Sequence, residues 1–141
     1  MNANQQDGRE KSMRPQITVI TIMTDDVAHL TAFYRDVLGF EPLVESETYT
    51  EFKNEGVRFS ICARSVMFEQ TDGHSSYHTP FRGQALELCF PCDSPEEVAA
   101  TYERIVLAGA TPIKGPSLMT WGHTTAFFAD PEGHIHSIYS E

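Results

Sequence analysis

The sequence predicts an α+β fold made of two successive βαβββ modules. Three observations carry that reading. A short apolar run leads into a helical apolar period that stops at a glycine, and this happens twice. Three short strand-like segments follow each helix, and a turn containing an acid and a glycine precedes the last strand of both sets. Neither half is large enough to bury its own sheet face alone, so the two are expected to share a core.

In the first half, Ile17 to Met23 (ITVITIM) is an uninterrupted β-branched run, as expected of a strand covered on both faces. Asp25 and Asp26 offer an N-cap, and Val27, Leu30, Phe33, Tyr34, Val37 and Leu38 recur at helical spacing until Gly39. Phe40 to Glu45, Tyr49 to Phe52 and Val57 to Cys62 are the next three strands, the last two joined by a turn at Lys53-Asn54-Glu55-Gly56. Arg64 to Gly83 is rich in Ser, Thr, His and Gly, shows no sustained period, and reads as a loop or extended arm.

In the second half, Ala85 to Phe90 (ALELCF) is the leading strand. Ser94-Pro95-Glu96-Glu97 combines a capping hydroxyl, a proline at the first helical position and a Glu at the third. Val98, Tyr102, Ile105 and Val106 form the buried stripe, and Gly109 ends the helix. Strands at Thr111 to Lys114, His123 to Ala129 and Ile135 to Tyr139 follow, with Asp130-Pro131-Glu132-Gly133 as the turn between the last two. Residues 15–141 are therefore read as one domain, with modules 15–63 and 84–141, a linker 64–83, and a disordered N-terminal tail 1–14.

Composition narrows the function classes. With 40% hydrophobic and 21% charged residues in 141, the chain is that of a globular protein. The net charge is −10, from 20 acids and 10 bases. Removing the tail's two acids and three bases leaves 18 acids against 7 bases in the body. Such a surface repels phosphate backbones and anionic lipid heads, so neither nucleic acid nor membrane is an expected partner. No apolar run approaches the roughly 20 residues of a membrane helix, and MNANQQDGREKSMRP lacks a secretory apolar segment. A cytoplasmic location is the default expectation, and the three cysteines, Cys62, Cys89 and Cys92, agree with a reducing compartment.

Two segments then carry a family resemblance. Ala32-Phe33-Tyr34-Arg35-Asp36-Val37-Leu38-Gly39-Phe40, after an acidic helix start, and Phe128-Ala129-Asp130-Pro131-Glu132-Gly133-His134 occur in the order and spacing of two signatures of the vicinal oxygen chelate superfamily. The chain resembles that superfamily, which includes glyoxalase I, extradiol dioxygenases and bleomycin-resistance proteins. The resemblance covers roughly residues 15 to 140. It implies an incomplete barrel of two βαβββ modules around a cavity, commonly in a homodimer. It also implies a metal site on the leading and last strands of each module, which here fall on Val19, about Ser60, Glu87 and Ser137. Val has no donor atom and a neutral serine is a poor ligand, so Glu87 alone is suited to a divalent ion. No metal or other cofactor is therefore expected. The alternative is a divalent metal ion in an atypical site using Glu87 and a histidine. His134-x-His136 has the parity to place two imidazoles on one strand face, against the plainer reading of a turn histidine and a hydrogen-bonded one.

Strand alternation selects the side chains expected to face the cavity. If Leu86, Leu88 and Phe90 pack on the helices, then Ala85, Glu87 and Cys89 point inward, as do Arg58, Ser60 and Cys62, Val19, Thr21 and Met23, and Ile135, Ser137 and Tyr139. Trp121 and His123 are placed at the mouth. The ligand-contacting set is thus Arg58, Ser60, Glu87, Cys89, Trp121, His123, Ser137 and Tyr139, with Glu87 the candidate catalytic residue. Inside an apolar cavity Glu87 either pairs with Arg58 or titrates upward and becomes a candidate general base. Cys89-Phe90-Pro91-Cys92 invites a redox reading, but Cys89 is still in a strand and Ser94 is the helix cap. His74-x-x-x-His78 lies in the linker, without helical periodicity to give its spacing meaning.

The expected function is the binding of a small organic molecule, sequestering an antibiotic or metabolite, without the usual metal. The alternative is a lyase, isomerase or dioxygenase of the same superfamily with an atypical site. The acidic body suits a cationic ligand.

Overall fold

The structure, a computed structural model, describes residues 13–79 and 83–141. The expected tail lies outside the described residues except for Met13 and Arg14, which are exposed, and residues 80–82 of the linker also lie outside them. The first half forms β1 (Val19–Thr24), α1 (Val27–Ala32) running on into a π-helical turn (Phe33–Val37), β2 (Pro42–Glu45), β3 (Tyr49–Phe52) and β4 (Arg58–Ala63). The second forms β5 (Cys89–Pro91), α3 (Pro95–Ala108), β6 (Thr111–Leu118), β7 (Thr124–Ala129) and β8 (Ile135–Ser140). Between them lie α2 (Arg64–Gln70) and a 3₁₀ turn (Ser75–Tyr77). Sheet 1 has the order β1-β4-β3-β2 and sheet 2 the order β5-β8-β7-β6. The outer pair β1–β4 of the first and β5–β8 of the second are parallel, the remainder antiparallel. The duplicated plan is therefore present, as two four-stranded sheets that do not close into one barrel.

Both sheets turn their apolar faces to one core. Phe52, Phe59 and Ile61 of sheet 1 and Ala126, Phe128 and Ile138 of sheet 2 are buried together with Leu30, Phe33 and Tyr34 of the first helix and Val98 and Ile105 of α3. Tyr34 sits at the junction, its ring 5.2 Å from Phe59 and 6.1 Å from His136. Removing an aromatic or leucine side chain of this kind from water stabilises the fold by about 1.5–3 kcal/mol. The sheet faces away from this core carry the residues that parity selected.

Four local differences from the sequence reading have physical causes. The linker is not simply a loop: α2 forms because Val66 packs on the core and Phe68 covers His78, with ring centroids 3.9 Å apart. Two hydrophobic contacts in seven residues are too few to register as a period. The fifth strand is shorter than Ala85 to Phe90 because side chains take its backbone bonds. Gln84 Nε2 donates to the carbonyls of Leu86 and Ile135, and Leu88 N–H donates to His136 Nδ1 at 3.1 Å. Leu86, expected on the helices, is 55% exposed as a result. β6 extends past Lys114 to Leu118 by breaking register at Pro112/Lys114 and again at Lys114/Ser117.

Candidate functional site

The outer face of sheet 2 holds a cleft of about 430 Å³. Its floor follows from register. Cys89 pairs with Ser137, and Ser137 with Phe127, making one row across three strands. Thr125 and Tyr139 make a second row. Glu87 precedes the first row, while Trp121 and His123 rise from the β6–β7 connection and Glu141 follows β8. The imidazole of His123 stacks on Tyr139, with centroids 5.6 Å apart and planes 14° from parallel. Trp121 stands at the rim, 62% exposed.

Six of the eight ligand-contacting residues expected from the sequence thus line one cleft: Glu87, Cys89, Trp121, His123, Ser137 and Tyr139. Thr125 and Phe127 join them and were missed, although their alternation in TTAFFA carried the signal. Arg58 and Ser60 lie elsewhere, on sheet 1. Arg58 Nε donates to Glu51 Oε2 at 3.2 Å, and this bond holds the Glu51 carboxyl below its ordinary range. The Ser60 hydroxyl is buried and shares a 2.8 Å hydrogen bond with Thr21. Of the two alternatives for Glu87, the pair with Arg58 is not formed, because Arg58 pairs with Glu51 instead. Arg58 and Glu87 only border a common groove of about 370 Å³. Glu87 is exposed rather than enclosed, and its Oε1 accepts from Cys89 Sγ at 3.2 Å.

None of the three thiols is shifted toward the thiolate. Burial pushes Cys89 up, and the Glu87 carboxylate adds to this against an opposing hydrogen bond with Ser137. Burial also raises Cys92 and Cys62. A reactive thiol needs the reverse shift.

The donor set does not fit a divalent metal. Val19 contributes nothing, Ser60 is committed to Thr21, and Ser137 is neutral. Among the described residues no group of three or more His, Cys, Asp and Glu side chains is arranged to hold an ion. His134 and His136 have nearly parallel rings 6.4 Å apart, but both are engaged in hydrogen bonds, His134 with Asp130 and His136 with Tyr34 and Leu88.

That engagement agrees with the plainer reading of a turn histidine and a hydrogen-bonded one, while the partners Tyr34 and Asp130, which make it a buried network, were not anticipated. Asp130 is 2% exposed and accepts from Tyr34 Oη and His134 Nδ1, each at 2.8 Å, and from the backbone N–H groups of Glu132 and His134. Burial works to raise Asp130, but the bonds from His134 and Tyr34 prevail and hold it below its ordinary range. His136 Nδ1 accepts from Leu88 N–H, so its proton resides on Nε2, which donates to Tyr34 Oη at 2.8 Å. Burial lowers His136 to about 4 and keeps it neutral at pH 7. Tyr34, also buried and facing Asp130, is pushed well above the phenol range. The available signal was the parity that sets His136 beside Ile138 on the core face.

Among the described residues no helix is long and apolar enough to cross a membrane. No curated protein matches the chain. Solved structures do, at the level of fold. A glyoxalase/bleomycin resistance protein/dioxygenase family enzyme from Burkholderia phytofirmans PsJN superposes with a TM-score of 0.78 at 24% identity, over 89% of this chain and 98% of that one. A glyoxalase/bleomycin resistance protein/dioxygenase from Nocardioides gives 0.80 at 22%, over 97% and 91%. A lactoylglutathione lyase from Agrobacterium tumefaciens gives 0.65 at 20%, over 92% and 96%. The sequence signature of one superfamily runs across both modules, matching residues 16–137, and on that ground the chain belongs to the Glyoxalase/Bleomycin resistance protein/Dioxygenase superfamily.

Proposed function

We propose that this protein binds a small planar organic cation in the cleft on sheet 2, without a metal, and serves to sequester it. One observation carries the reading. Thr125, in the floor of the cleft, is 3% exposed and its hydroxyl has no hydrogen-bond partner among the described residues. A buried hydroxyl left unpaired costs about 1–3 kcal/mol, which a ligand atom in the cleft would recover. The walls supply the rest of the chemistry: Trp121, His123, Phe127 and Tyr139 offer aromatic faces, and the two carboxylates, Glu87 and Glu141, are the charged groups of the lining. Aromatic faces and carboxylates without an opposing base favour a flat cation.

The reading includes a homodimer. Parity assigned Arg58 and Ser60 to the same cavity as Glu87 and Ser137, yet within one chain these sets lie on the outer faces of two sheets that do not close on each other. A second copy laying its first sheet over the cleft would unite them and cover the exposed Trp121. Sedimentation should then show a dimer.

The single tryptophan supplies the binding test. Titration with an N-methylquinolinium salt should quench Trp121 fluorescence saturably, and quinoline-2-carboxylate should not. Glu87→Gln and Tyr139→Ala should each weaken binding about fivefold or more, and EDTA should leave it unchanged. Equal response to the anion, or binding insensitive to both substitutions, would overturn the proposal. Stoichiometric Zn, Ni, Fe or Mn in protein purified without an affinity tag would overturn its metal-free part.

A further inference from the structure

A second cavity, of about 530 Å³, lies under the linker, between β1 and the segment that leads into β5. It shares no lining residue with the cleft on sheet 2. Its charge is of the opposite kind. Among the described residues no Asp or Glu lines it, in a chain of net charge −10, whereas the Arg64 guanidinium does. Arg64 opens α2 directly after β4, and its side chain is only 12% exposed. Its Nε donates to Asp25 Oδ1 at 3.2 Å, and among the described residues its two terminal nitrogens have no hydrogen-bond partner. Asp25 is 72% exposed, so water screens its charge and leaves the guanidinium incompletely compensated. A guanidinium withdrawn from solvent whose Nη1 and Nη2 N–H donors are uncommitted is suited to a bidentate carboxylate in the guanidinium plane.

The rest of the lining agrees. Ser75 and Ser76, on the 3₁₀ turn, also line the cavity and add hydroxyl groups. Met23 and Leu86 supply an apolar wall, and the 55% exposure of Leu86 places an uncovered hydrophobic side chain at the rim. The Gln84 side chain fixes this wall by bonding to Leu86 and Ile135. His136 contributes no charge, being held neutral by burial and committed to Tyr34 and Leu88.

We infer that the cavity beneath the linker is a second ligand site, specific for a small amphipathic carboxylate whose charged end meets Arg64 and whose apolar body lies against Met23 and Leu86. The site is independent of the cation cleft. Two ligands of opposite charge would then flank the leading strands of the two modules.

Phenylacetate is the probe and phenylacetamide its neutral counterpart. In NMR titrations of the full chain, phenylacetate should shift the amides of Ser75, Ser76 and Ala85 saturably, with at least tenfold higher affinity than the amide. Arg64→Gln should reduce phenylacetate affinity at least tenfold. Because that change also removes the bond to Asp25, Leu86→Glu provides a second test at an exposed position that does not threaten the core. A like charge at the rim should abolish phenylacetate binding. Equal binding of acid and amide, undiminished binding by the Leu86→Glu protein, or shifts confined to the cleft at Ser137 and Tyr139 would each overturn the inference. Trp121 fluorescence should stay constant throughout, so failure of the cation proposal and failure of this one are read separately.

Discussion

The helices α1 and α3 hold equivalent places in a duplicated plan, yet different forces hold them. α3 runs unbroken for 14 residues with only Val98 and Ile105 buried. Its order comes from local signals: the Ser94 hydroxyl accepts from Glu97 N–H at 3.1 Å, Pro95 occupies the first turn, and Gly109 ends it. The first helix is regular for six residues and then widens into a five-residue π turn, burying Val27, Leu30, Thr31, Phe33, Tyr34 and Val37. Tertiary contacts shape it. The π turn, marked by the Leu38 N–H donating to the Phe33 carbonyl at 3.2 Å, carries the Tyr34 side chain that meets Asp130 and His136 of the other module. One helix is specified by its own sequence and the other by what it packs against.

The largest test of that contrast breaks the contact between modules. Asp130→Ala leaves Tyr34 Oη and His134 Nδ1 without their acceptor in a buried site, and should cost about 3–5 kcal/mol in urea unfolding. Tyr34→Phe removes one donor and keeps the packing, so it should cost less. A result in which neither change moves the unfolding midpoint would show that the first helix does not depend on this network.

Acid should weaken the same network in a defined window. The folded value of His136 is about 4 against an ordinary 6.5, so below pH 6.5 the unfolded chain takes up a proton that the folded one refuses. Stability conferred by the neutral imidazole is present above pH 6.5 and is lost as pH falls toward 4, by roughly 3 kcal/mol at 1.36 kcal/mol per pH unit. Asp130, held below its ordinary range, extends the loss below about pH 4, where the unfolded carboxylate protonates first. Stability profiles of wild type and His136→Gln should converge as pH falls, because the glutamine variant lacks the first of these losses.

The same contrast explains what was legible. Ser94, Pro95, Glu97 and Gly109 announce α3 because their effects act within one turn of helix. Strand parity was also legible, since alternation is a property of the single strand, and it brought six expected residues into one cleft. Parity assigns a residue to one face of a sheet, but it says nothing of how two sheets face each other. Arg58 and Ser60 were therefore grouped with Glu87, which itself came out exposed. The π turn, the shortened β5 and the Tyr34–Asp130–His136 network escaped for the same reason. Their partners are about a hundred residues or some fifty residues away along the chain, and no local window contains both ends.

The two glycine stops allow a smaller comparison. Gly39 has φ +88° with open space where a methyl group would stand, and Gly109 has φ +127° with Val37 Cγ2 3.9 Å from that position. Alanine fits sterically at both, so the cost is that of the backbone alone, about 1–2 kcal/mol in the left-handed region. Gly109→Ala should be the more costly in thermal unfolding, because +127° lies further from the left-handed well near +60°.

The smallest effect separates the helices most directly. Ser94→Ala removes the cap of α3 and should cost about 1 kcal/mol in the intact protein. A peptide of residues 93–110 retains every signal that specifies α3 and should show helical circular dichroism at low temperature, reduced by the same substitution. Fourteen helical residues are near the minimum for an isolated helix, so the expected helicity is modest. A peptide of residues 25–40 keeps the Asp26 cap, which accepts from His29 N–H at 3.0 Å, but loses the core that buries six of its side chains. It should be unstructured under the same conditions. Equal helicity in the two peptides would mean that the π turn is imposed on a helix already formed, rather than the helix being made by the packing around Tyr34.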